Sequence, residues 1–499
     1  MRNREELQNS IFEKSAAVIR QRRQRRKRIG AAALGLCLAA GAGIYLLGNS
    51  FDKKPTEIQV TEKESKDKPA EIQVAEKETK DKPTEMQDIE KETEINITEI
   101  KDSENTGNNI VFVSEAAEKI AERTKLSDKF IQNTADFSIE LFQKSFQEKE
   151  NVMISPLSAL LALSMAANGA DNETLAEMES VLGGELGIEE INQNLNSLVT
   201  GLYNGEKTKL FTADSIWIRN DIEDFIINPV FLETNKKYYY ADAYVKPFNQ
   251  ETIQEMNQWI SEKTEGMFQN IISEISANTE MYLFNTMIFE GEWKNIYYND
   301  QVGQGTFTDC DGNGQEAVMM YSTEGVYLNT ENAKGFIKPY ENGYSFAALL
   351  PDEGVGIGEF IKSLNGEKFL KIMEDAKDAD NMEIGGVFTA LPKFSSETSI
   401  RMNEVLQEMG IKQAFAEEAD FSKMEAKSRK EVFISEVLQN SYIKVDEIGT
   451  QAGAVTRAVA SGAGLSRLEV VLNRPFVYAI IDNQTKLPIY IGAVLNIER

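Results

Sequence analysis

The sequence predicts an α+β fold in one continuous globular region. Three observations carry this: helical periodicity dominates early, strand patterns dominate late, and nothing resembling a linker separates them. In TADFSIELFQKSF and SALLALSMAA, apolar residues recur at spacings of three and four. MYLFNTMIFEGEW, YSFAALLP, NSYIKVDEIG and FVYAIIDNQTKLPIYIGAVL are short β-rich runs bounded by Gly, Pro and Asn. Helices followed by many strands imply antiparallel sheets with helices on one side.

Globular composition begins near Val111, and the domain is assigned to residues 111–499. What precedes it differs in kind. Residues 1–28 end in QRRQRRKR and form a basic tail. Residues 29–48, IGAAALGLCLAAGAGIYLLG, carry no charge over close to the about 20 residues a membrane helix requires. The basic cluster should remain cytoplasmic, so a single-pass anchor at the cell membrane would place the domain outside. A cleaved signal peptide is the competing reading, because small residues from Ala39 to Gly43 offer a cleavage site. Residues 49–110 contain KPTEIQVTEKESKD, KPAEIQVAEKETKD and KPTEMQDIEKETE in succession. Dense mixed charge with few apolar residues cannot offset chain entropy, so a solvated stalk is expected.

Composition excludes several function classes. The net charge is −27, which argues against general attraction to nucleic acid. Two cysteines, Cys37 and Cys310, give no disulfide framework. The chain contains no histidine, which removes the usual general base of hydrolases and the commonest metal ligand. Neither a catalytic residue nor a metal or cofactor is assigned, and the chain is expected not to be an enzyme.

From about Ala135 onward, motifs resemble the serpin family in the family's order. They are NVMISPLSALLALSMAANGADNETLAEM, MNQWISEKTEG, FNTMIFEGEWKNIY, LPKFSSETSIRMNEVLQEMGIKQAFAEEADFSKM and NRPFVYAIIDNQTKLPIYIGAVLNI. The resemblance implies the serpin fold, with mixed, largely antiparallel sheets, a helical layer and an exposed reactive-centre loop. It also implies suicide inhibition: a target serine or cysteine protease cuts the loop, is held as a covalent acyl-enzyme, and is trapped when the loop inserts as a new strand. A monomer is expected.

The loop segment VDEIGTQAGAVTRAVASGAGLSRLEV can be checked against strand geometry. Alternate side chains of a strand face opposite ways. One set, Thr450, Ala452, Ala454, Thr456, Ala458 and Ala460, is small and uncharged; the other holds the only charge, Arg457. The segment is therefore suited to insertion, with Glu447 and Gly449 completing the hinge by resemblance. Counting along the loop from Glu447, as the family's spacing implies, puts the cut between Ala463 and Gly464, whereas counting back from Pro475 puts it after Gly464. The hinge count is preferred because inserted length is mechanically constrained. A small residue at the cut suits elastase-like or subtilisin-like proteases, and Arg467 is the competing bait for a trypsin-like one. By resemblance, Ser155, Ser158, Asn285, Trp293 and Gln439 control opening of the sheet, Gln439 standing where many relatives carry histidine. Gly453 and Val455 depart from the run of alanines common in inhibitors, so a noninhibitory serpin or a surface binding module is the alternative.

Overall fold

The computed structural model describes residues 110–112, 125–219, 227–264, 266, 268–275, 279, 281–378, 386–425, 432–450 and 468–497, with the side chains of 110–112 and Asn285 outside the description. Within it, Gly107–Arg499 form one unit. The basic tail, the span expected at 29–48 and the stalk lie outside the described residues, save Ile110, which begins a strand. No helix among the described residues is long and apolar enough to cross a membrane.

The chain opens with β1 (Ile110–Phe112) and then α1 (Asp128–Ser145), whose N-cap Ser127 accepts from the Phe130 N–H. Ser155 stands between β2 (Val152–Ile154) and α2 (Pro156–Ala167); it caps the helix, and Pro156 fills the first turn, where an N–H is dispensable. There follow α3 (Asn172–Gly183), α4 (Ile188–Gly201), β3 (Thr208–Arg219), α5 (Pro229–Tyr239), β4 (Asp242–Lys246) and α6 (Gln250–Lys263). The chain then turns to strands: β5 (Met281–Glu292), β6 (Val302–Thr308), β7 (Gly314–Glu324), β8 (Val326–Asn329), β9 (Ala333–Pro339) and β10 (Tyr344–Pro351). After α7 (Ile357–Ser363) and α8 (Gly366–Glu374) come β11 (Lys377–Asp378), β12 (Val387–Pro392), β13 (Phe394–Arg401) and α9 (Asn403–Met409). The last strands are β14 (Leu438–Val445), β15 (Gly449–Thr450), β16 (Leu468–Val471), β17 (Phe476–Asp482) and β18 (Pro488–Val494).

These strands form a seven-stranded main sheet ordered β1-β4-β3-β5-β15-β14-β13, a seven-stranded sheet β11-β8-β9-β10-β17-β18-β2, and a four-stranded sheet β16-β12-β7-β6. Among the described residues, only β3–β4 and β12–β16 pair in parallel. The mixed, largely antiparallel expectation therefore holds. Helix α2 is apolar all round and nearly wholly buried, packed against β5 of the main sheet and β18 of the second.

Two expectations needed revision. The helices do not all lie on one side: α6 covers the opposite face of the main sheet, where Trp217 stacks on Tyr244 at 4.0 Å and joins Met256 and Trp259 in a separate apolar cluster. Strand β3 alternates, Ile216 and Ile218 facing the main core and Trp217 the other side, so both faces need cover. The run NSYIKVDEIG is not one strand. It stops at Val445, turns, and re-forms as β15, because the Asp446 carboxylate accepts from the Ile448 N–H at 3.0 Å and the Asp446 N–H donates to Gly449 O at 3.0 Å.

Candidate functional site

The main sheet contains a place for one more strand. Strand β5 pairs with β3 along its length, and β14 pairs with β13 from Leu438 to Val445. Between β5 and β14, the described residues supply only the two-residue β15. Gly449 pairs with Glu292, Thr450 with Gly291, and Val445 with Thr450, all antiparallel. Below Thr450 the facing edges of β5 and β14 have no strand partner among the described residues. A cavity of about 350 Å³ lies there, lined by Met281, Leu283, Met287, Gln439, Ser441 and Tyr490 among others. Unpaired edges attract a further strand.

The turn at the mouth of this slot is tightly held. Trp293 is 1% exposed and stacks on Tyr340 at 4.5 Å. Its indole N–H donates to Asp446 O at 2.9 Å and its backbone N–H to Ile448 O at 2.8 Å, while the Tyr297 N–H donates to Glu447 O at 2.8 Å. Thr450 is buried, its hydroxyl 2.7 Å from the Tyr340 hydroxyl. Gly449 is required by close approach: a Cβ there would stand 1.8 Å from the Gly291 carbonyl oxygen.

Charge is arranged around the same turn. The Glu447 carboxylate pairs with Lys393 at 2.5 Å. Burial would raise its pKa, but the Lys393 hydrogen bond, the Glu447 N–H and the charges of Lys393 and Lys444 outweigh that and hold it below its ordinary value. Deeper in, Lys338 and Glu324 form an ion pair at 2.8 Å with side chains 1% and 4% exposed. Burial pushes the Lys338 ammonium down, against the opposing pull of Glu324. Burial, then the Glu324 charge, pushes the Tyr297 phenol well up, so it remains neutral.

The floor of the slot is a polar joint. The Gln439 side chain accepts from the Ser155 N–H at 2.9 Å and donates to Ser155 O at 2.9 Å. The Ser155 hydroxyl donates to Ile489 O at 2.9 Å and accepts from the Ser158 N–H at 3.3 Å. The structure thus brings Ser155, Ser158 and Gln439 together at the slot, and gathers Trp293, Glu447, Gly449 and Thr450 at its mouth. Asn285 lies on β5 opposite Asp214, with its side chain outside the described residues. Ala452, Ala454, Thr456, Ala463 and Gly464 lie outside the described residues altogether. Sequence reasoning missed Tyr340, Lys393 and the Lys338–Glu324 pair. A signal existed for Lys338: it falls in phase with the buried Phe336 and Tyr340 along β9 and the residue beyond it.

Comparison with known proteins agrees with this geometry. The family profile described as serpin (serine protease inhibitor) matches residues 132–497. Leukocyte elastase inhibitor A of Mus musculus is 27% identical over 380 residues, covering 72% of this chain and 97% of its own. The crystal structure of the thermophilic serpin tengpin in its native state superposes with a TM-score of 0.71 at 46% identity, covering 76% of this chain and 96% of tengpin. Its latent state gives a TM-score of 0.66 at 43% identity, covering 76% and 100%. A chain matched over so much of its length, with this three-sheet arrangement, belongs to the serpin family. The family is one of protease inhibitors rather than catalysts, most of whose members complex target proteases, though it also includes thyroxine-binding globulin.

Proposed function

We propose that this serpin is a suicide-type inhibitor of serine proteases that traps its target by inserting the cut loop between β5 and β14. The observation that carries the reading is the slot itself: two facing edges with no strand partner among the described residues, and Gly449 and Thr450 already paired at one end. Continuing that register sets Ala452 between Phe289 and Ile443, Ala454 between Met287 and Ser441, and Thr456 between Asn285 and Gln439. Phe289, Ile443, Met287 and Ser441 are buried, so this set faces the core, and it is the small uncharged set of the alternation. A strand of about ten residues paired on both edges gains hydrogen bonds worth about 1 kcal/mol net each, on the order of 10 kcal/mol. Whole domains are stable by only about 5–15 kcal/mol, so the release suffices to distort a protease still attached by its acyl bond.

Cleavage between Ala463 and Gly464 points to an elastase-like or subtilisin-like target, a reading supported by the name of the mouse relative. The uncharged run at 29–48 behind a basic cluster supports display on the outer face of a cell membrane. Incubation with a panel of proteases followed by denaturing electrophoresis tests the function. A covalent band of summed mass is expected with elastase-like or subtilisin-like enzymes; cleavage without such a band, for every enzyme tried, would mark a noninhibitory serpin.

A further inference from the structure

The buried Lys338–Glu324 pair joins three sheets at the mouth of the slot. Lys338 sits on β9 of the second sheet, and Glu324 ends β7 of the four-stranded sheet. The chain between them, 293–297, leaves the end of β5 in the main sheet. The Lys338 ammonium donates to Glu324 at 2.8 Å and to Asn295 O at 3.0 Å. It lies 4.2 Å from the centre of the Tyr297 ring and 5.5 Å from that of Trp293. Glu324 also accepts from the Ser322 hydroxyl at 2.5 Å. One cation therefore grips the middle of a segment whose two ends, Trp293 and Tyr297, carry the hydrogen bonds to Asp446, Glu447 and Ile448.

That turn is what aligns the loop. It connects β14 to β15, and its position sets Gly449 opposite Glu292. Strand addition proceeds readily from a correctly registered end and poorly from a wandering one, because loop closure must be met before pairing gains anything. An apolar residue at 338 would fill the volume but leave Asn295 O without its donor. The charge of a lysine in turn requires Glu324.

We propose that Lys338, held by Glu324, is a positioning residue for loop insertion: it fixes the 293–297 segment so that the turn at 446–448 presents the loop to the slot in register. This rests on the strand-insertion reading above. Partition of the cut inhibitor between trapped complex and released product reads the insertion rate, and the melting temperature of the cleaved form reads simple structural loss.

The test compares wild type with Lys338→Met/Glu324→Gln, which removes both charges at similar volume. Expected is a roughly three- to tenfold rise in inhibitor consumed per protease trapped, the factor that one net hydrogen bond commands, with the cleaved form melting as wild type does. An unchanged partition, or a change matched by equal destabilisation of the cleaved form, would overturn the inference. Should the double variant not fold, Lys338→Gln/Glu324→Gln, which leaves no buried charge and keeps polar side chains at both positions, is judged by the same two readouts. If the wild type forms no trapped complex and gains no heat stability on cleavage, the strand-insertion reading itself fails and takes this inference with it.

Discussion

Gln439 and Ser155 clasp one another across the open part of the main sheet: one side-chain amide satisfies both the N–H and the C=O of the residue that caps α2. Strand β14 is thereby tied to the buried helix beneath it through a single side chain.

Replacing Gln439 with Leu should leave the N–H of the buried Ser155 without a partner, while its C=O keeps the bond from the Ala159 N–H at 3.2 Å, at a cost of about 1–3 kcal/mol. The uncut protein should unfold at lower denaturant concentration with an unchanged slope. A midpoint equal to that of wild type would show that the clasp contributes nothing.

Thr450 faces the core, its hydroxyl against that of Tyr340, and in an inserted strand the next residue, Gln451, would face the other way. Thr450→Arg should convert inhibitor to substrate, since burying an unpaired charge costs several kcal/mol. Gln451→Arg should inhibit nearly as wild type does. Equal loss at both positions in a titration of protease activity would refute the face assignment.

Glu447 has a folded-state pKa below its unfolded value, held there by Lys393 and Lys444 against the effect of burial. Its contribution to stability is therefore full above the ordinary glutamate value of 4.5 and is lost as pH falls through the lower folded value. The pair is partly exposed, so the effect is modest and sensitive to salt. Melting curves of wild type and Glu447→Gln should differ near neutral pH and draw together as the pH falls below 4.5. A difference that persists unchanged into acid would remove the pair from the hinge's account.

Much of this architecture was legible because its signals are local. YSFAALLP is β10 to the residue, and the closing run is the β17–β18 hairpin. Small, uncharged residues alternate from Thr450 to Ala460 in the sequence, and the member of that set within the described residues, Thr450, is buried. The contacts that set the hinge were not legible, since they join residues distant in the chain: Thr450 to Tyr340, Glu447 to Lys393, Lys338 to Glu324. Strand order decides those meetings, and no periodicity encodes order. The cover that α6 gives the second face of the main sheet was not legible for a related reason: Trp217 points away from Ile216 and Ile218 along β3, but which element meets it depends on where α6 packs.

The most direct test of strand insertion is the melting temperature of the domain before and after cutting near Ala463. Insertion adds a strand paired with β5 and β14, so the cut form should melt higher by about 10 °C or more, as a gain on the order of 10 kcal/mol implies. An ordinary nick removes a constraint and lowers stability. A cut form melting at or below the temperature of the uncut one would contradict the account.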